Sequence, residues 1–149
     1  MPTILPMAVL TLAASAAFWI AVLWVYSGRT WRFVPFVALG LPLSAVVNLA
    51  VKGPLAEGVG ALAGIDPGQG LGTPWWFLLF LFALAPVFEE AVKVAPVLVP
   101  RVRRAMTAPG GALWTGLALG IGFGLGEAAY LAWQVAASGA YEQYPWYAF

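Results

Sequence analysis

The sequence contains no cysteine and no histidine. The first absence excludes disulfides, thiol nucleophiles and thiolate metal sites. The second removes the commonest general base and the commonest metal ligand, so any chemistry must use carboxylates, amines or hydroxyls. Charged residues are scarce as well: they make up 9% of the 149 residues, and the formal net charge is +1.

Long apolar runs fill most of the chain. Hydrophobic residues make up 62% of the sequence and the mean hydropathy is +0.89, a composition typical of an integral membrane protein. We predict one all-α membrane domain over 1–149, surrounded by lipid and with no nucleic-acid partner. Its four transmembrane helices are expected at about 4–26, 33–51, 74–100 and 112–137, with a glycine-rich outer loop at 52–73.

Basic residues predict the orientation of these spans. Arg29 and Arg32 lie between the first two spans, and Arg101, Arg103 and Arg104 lie between the last two. Short loops rich in Arg and Lys stay on the cytoplasmic side. We therefore expect an N-out/C-out, multi-pass protein of the cell membrane, in a bacterium the inner membrane.

Ionisable residues interrupt the third predicted span. Glu89, Glu90 and Lys93 lie within five positions, and each such group near the centre of a spanning helix costs about 2.5–3.5 kcal/mol. The only other acid in an apolar segment is Glu127, in the fourth span. Because the two spans are antiparallel neighbours, we expect the three carboxylates and Lys93 to meet at mid-membrane.

A stripe of glycines suggests how the two spans approach each other. Gly116, Gly120 and Gly124 recur every four residues, and Glu127 continues the same helix face. Small residues at this spacing allow two membrane helices to pack closely. We predict that helices three and four pack through this glycine seam.

Several interpretations of the acidic cluster stay open. Glu89 and Lys93 are four residues apart and can neutralise each other within one helix. The chain would then be a non-enzymatic membrane subunit or scaffold that uses the Glu/Lys cluster to pack against partner helices. An ion or proton pathway through the three glutamates is a third possibility.

Two linked motifs resemble a known family. They are Glu89-Glu90-x-x-Lys93 in one span and Gly120-Ile121-Gly122-Phe123-Gly124-Leu125-Gly126-Glu127-x-x-Tyr130 in the next. This EExxK motif followed by FxxxE among glycines resembles the PrsW family of intramembrane proteases. That family belongs to a wider superfamily with the CAAX-processing proteases and bacteriocin-immunity membrane proteins. The resemblance covers about 86–133, a third of the chain.

The resemblance implies a glutamate-dependent, metal-assisted peptidase that cleaves membrane protein substrates such as anti-sigma factors. Glu89 or Glu90 would activate a water molecule and Lys93 would orient the pair. Glu90 and Glu127 would hold the water or a divalent metal such as zinc. The chain departs from the family in having no histidine for the later histidine motif, and Ala128 stands where an asparagine often follows the FxxxE glutamate.

Overall fold

The computed structural model describes residues 4–66 and 72–138, and in these two ranges every regular element is helical. The prediction of an all-α chain is therefore confirmed. The helices are α1 (Ile4–Tyr26), α2 (Val34–Gly40), α3 (Leu43–Val47), α4 (Gly53–Ala63), α5 (Trp75–Val94), α6 (Pro100–Thr107) and α7 (Gly111–Ser138).

Within residues 4–66 and 72–138, three helical stretches are long and apolar enough to cross a membrane, namely Pro6–Tyr26, Trp31–Ala63 and Gly111–Ser138. A 23-residue helix such as α1 rises about 34 Å, enough for a hydrocarbon layer of about 30 Å. Large apolar side chains of α1, including Leu10 at 63% and Phe18 at 60%, are exposed on its surface. Exposed apolar faces of this kind fit a lipid environment.

Helix α5 is not among these three stretches. It is 20 residues long, and Glu89, Glu90 and Lys93 fall in its last six positions. The membrane character of the chain is supported by the other three stretches. A fourth crossing by α5 and the N-out/C-out topology stay predictions.

The second apolar stretch continues further than expected. Pro42 separates α2 from α3, and a π-helical turn at Asn48–Lys52 joins α3 to α4. The predicted loop at 52–73 is thus helical over residues 53–63, until Gly64 adopts a left-handed conformation (φ 65°) and ends α4. Glycine takes up this conformation with little steric cost.

The connection between the last two predicted spans is also helical. After Val94 the chain forms a 3-10 turn at Ala95–Leu98, and α6 follows from Pro100. Proline lacks the backbone donor of a helix interior but is well accepted in a first turn. The expected span to residue 100 therefore ends as α5 at Val94, and the basic loop contains α6.

Helix α7 is the centre of the bundle and contacts α1, α2, α3 and α6. Leu23, Phe33, Val37 and Ala118 form the buried core between α1, α2 and α7. The backbones of α2 and α7 come so close that a methyl group on Gly122 would lie 2.9 Å from the Cα of Gly40. Gly126 is equally restricted by the Leu41 backbone.

The predicted glycine seam between helices three and four, which correspond to α5 and α7, was wrong. Apart from the local backbone of α7, nothing lies within 4 Å of the position where Gly116, Gly120 or Gly124 would carry a Cβ. These residues instead line an open groove of about 780 Å³ between α1 and α7. The tight seam uses Gly122 and Gly126, because α2 presents Gly40 as a matching small residue.

Candidate charge site on helices α5 and α7

An ion pair joins the second apolar stretch to α5. Lys52 Nζ lies 2.8 Å from Glu89 Oε1, and the two side chains are only 20% and 18% exposed. The residues are 37 positions apart in the chain. Lys52 ends the π-helical turn, and α5 packs against this turn and α3. The pair therefore neutralises one of the α5 carboxylates by a contact between different helices.

A second ion pair lies within α5. Lys93 Nζ is 2.7 Å from Glu90 Oε1, with side chains 36% and 69% exposed. The same ammonium lies 4.8 Å from the centroid of the Phe123 ring on α7. An ammonium over an aromatic face is attracted by the negative face of the ring. Lys93 thus links the exposed Glu90 carboxylate to α7.

Helix geometry explains why adjacent glutamates have different partners. Successive residues of an α-helix are about 100° apart around its axis. Glu89 therefore faces the π-helical turn and its Lys52, while Glu90 points away and pairs with Lys93, one turn further on. The pairing of Glu89 with Lys93 that the four-residue spacing suggested does not occur.

Glu127 lies on α7 one turn beyond Phe123, and residues four apart share a helix face. Its side chain is partly buried. It forms an ion pair with neither Lys52 nor Lys93, whose carboxylate partners are Glu89 and Glu90. The structure thus brings Glu90, Lys93 and the Phe123 face of α7 together, and it leaves Glu127 outside the two ion pairs.

The predicted metal ligands, Glu90 and Glu127, do not complete a metal site in the part of the chain that is described. No group of three or more Asp, Glu, His or Cys side chains there could hold a metal ion. Glu90 and Glu89 already accept hydrogen bonds from lysines. Residues 4–66 and 72–138 therefore do not by themselves bring together the three protein ligands that a zinc ion takes, and the zinc site stays a prediction.

Lys52 was missed as a member of the site because it was expected to begin a loop. Ser44, Asn48 and Lys52 recur every four residues, so they lie on one side of a helix. The Asn48 side chain donates to the Ser44 carbonyl, at 2.8 Å. Extending this polar stripe by one turn would have indicated that Lys52 belongs to a helix and faces the interior.

Comparison of the chain with family models, curated proteins and solved structures found no match in any of the three.

Proposed function

We propose that this chain is a PrsW-like intramembrane peptidase of a bacterial cell membrane, with a site built on Glu90, Lys93 and Glu127. The observation that carries the proposal is the contact of Lys93 with Phe123. Lys93 is the lysine of the EExxK motif and Phe123 is the phenylalanine of the FxxxE motif. Lys93 and Phe123 are 30 positions apart in the sequence. Their contact therefore brings the two motifs together in space.

The charge arrangement supports different roles for the two adjacent glutamates. Glu89 is held by Lys52 and positions α5, whereas Glu90 is 69% exposed and accessible to a substrate. The Glu90 carboxylate would take a proton from water while the water oxygen adds to a peptide carbonyl carbon. The carbon–nitrogen bond then breaks, and the proton passes to the leaving amine.

The remaining groups of the site would orient this reaction. Lys93 holds the Glu90 carboxylate. In this proposal Glu127, one turn beyond Phe123 on α7, would supply a second acceptor. The substrate would be a membrane protein whose chain enters the site from the bilayer. A divalent metal would need ligands from outside residues 4–66 and 72–138, so no step is assigned to it.

The experiment is cleavage of tagged single-span membrane proteins that are co-expressed with the chain in a bacterial host. We expect cleavage with the native chain and its loss with Glu90→Gln, because the amide cannot accept the proton. Glu57→Gln is the matched control, since Glu57 is exposed on α4. Equal cleavage of the tagged proteins by the native chain and by the Glu90→Gln variant would contradict the proposal.

The second candidate function is a non-enzymatic membrane subunit. It is favoured by the Lys52–Glu89 pair, which neutralises two charges without leaving either available for chemistry. In that case Glu90→Gln would leave function intact, while Lys52→Met would weaken assembly with partner helices. Co-purification of partner proteins with each variant separates the two functions.

A further inference from the structure

All five arginines of the chain lie near one end of the bundle, in two segments without any acidic residue. Arg29 and Arg32 precede α2, and the other three belong to α6. Leu23 and Phe33, which flank the first segment, pack against Ala118 in the second turn of α7. The second segment leads directly into α7, so both segments meet at the start of this helix.

Helix α6 has two distinct faces. Arg101, Arg103 and Arg104 are exposed, whereas Val102 is only 1% exposed and Met106 is half-buried. At 100° per residue, the three arginines cover one side of α6, and Val102 and Met106 lie on the other. The helix therefore presents guanidinium groups on one side and attaches to the bundle by the other.

The arginines of α6 lack the partners that the other two arginines have. Arg29 lies 6.0 Å from the Trp24 ring centroid, and Arg32 lies 4.7 Å from that of Phe33. In α6, only the Nε of Arg104 is engaged, with the Pro100 carbonyl at 3.3 Å. No salt bridge to an arginine occurs in the described ranges, where both ion pairs use lysines.

Helix α6 packs closely against the first turn of α7. The Gly111 amide donates to the Ala108 carbonyl at 2.7 Å. A methyl group on Gly111 would overlap the Ala105 carbonyl. Because α7 is long and apolar enough to cross a membrane, a helix packed on its first turn lies at the level of the headgroups.

We propose that the arginine face of α6 binds the phosphate groups of anionic phospholipids. Guanidinium groups form paired hydrogen bonds with phosphate oxygens. Each basic residue near an anionic membrane surface contributes to the attraction, and the contributions are lost when the charge is removed. Charge complementarity selects this partner, since three arginines face outward with no carboxylate near them in sequence.

The test is native mass spectrometry of the full chain in detergent with equal amounts of phosphatidylglycerol and phosphatidylcholine. We expect the native chain to retain phosphatidylglycerol preferentially. Replacing Arg101, Arg103 and Arg104 by Gln should reduce this preference about tenfold or more. Arg29→Gln/Arg32→Gln is the comparison variant and should reduce the preference much less, because it leaves the arginine face of α6 intact and removes arginines that already contact aromatic rings.

Two further measurements on the native chain test lipid binding without any substitution. Raising the salt concentration from ~0.1 to ~1 M should weaken retention, because screening shortens the Debye length from about 10 to about 3 Å. Inorganic phosphate at the lipid's concentration should not displace the lipid. Equal retention of both lipids, equal loss in the comparison variant, or displacement by phosphate would each overturn the proposal.

Discussion

Helices α2 and α5 are attached to the bundle by different kinds of contact. Helix α2 meets α7 backbone to backbone at Gly40 and Gly122. Helix α5 buries Phe77 and Leu84, but its charged end is held by the Lys52–Glu89 pair and by Lys93 over Phe123. The first contact depends on the absence of side chains, and the second depends on charged side chains. The candidate site therefore lies on α5, the helix whose attachment to the bundle depends on charged residues.

The largest effect is expected from breaking the α2–α7 contact with Gly122→Leu. The new side chain has no space beside the Val37 and Gly40 backbones, so α2 must separate from α7. We expect a loss of about 3 kcal/mol or more in the free energy of unfolding. Gly120→Leu is the matched control, because its side chain would enter the groove. Chemical unfolding in detergent measures both variants, and equal losses would contradict the difference between the two glycines.

The second largest loss of stability is expected from Lys52→Met, which removes the ion pair that attaches α5 to the π-helical turn. It leaves the largely buried Glu89 carboxylate without a partner, and removal of one member of a buried pair is strongly destabilising. We expect a loss of about 2 kcal/mol, because the pair retains some exposure. The double variant Lys52→Met/Glu89→Met removes both charges and should recover most of this loss. A double variant less stable than Lys52→Met alone would show that the pair is not the source of the effect.

A smaller pair of substitutions compares the two glycine faces of α7 directly. Gly126→Ala places a methyl group against the Leu41 backbone, whereas the methyl group of Gly124→Ala meets nothing within 4 Å beyond the local backbone of α7. We expect the first to cost about 1 kcal/mol through overpacking. The second should stabilise α7 by up to about 1 kcal/mol, since alanine is the better helix former. Thermal unfolding of the two variants in the same detergent should shift in opposite directions.

The smallest effect on stability is expected from Lys93→Met. Its pair with Glu90 is exposed and lies within one helix, so it contributes about 0.5 kcal/mol or less. Under the proposed function, however, Lys93 orients the Glu90 carboxylate. The rate at which the membrane substrate is cleaved should therefore fall strongly, while the free energy of unfolding changes little. Parallel loss of cleavage and of folded protein would assign Lys93 a structural role only.

Residue spacing could predict the helices and part of the site. The spacing of Glu89, Glu90 and Lys93 predicted one charged cluster on α5, and their five-residue span placed them on adjacent turns. The partners of these residues depended on which helices became neighbours. Lys52 became a partner because the chain stayed helical through the π-turn and α4. Because the helix continues, Lys52 lies beside Glu89, although the two residues are 37 positions apart in the chain.

Long apolar runs and scarce charges are enough to predict a helical, membrane-compatible chain. The sequence by itself did not determine which prolines and glycines interrupt the helices, because Pro42 separates α2 from α3 whereas Pro86 lies inside α5. Which face of α7 packs tightly depends on the contact between α7 and α2. Glycines occur on both faces, and close packing at Gly122 required Gly40 on α2 as its counterpart. In the same way, the exposure of Glu90 and the pairing of Glu89 depend on which helices pack beside α5. The sequence of α5 alone does not specify those neighbours.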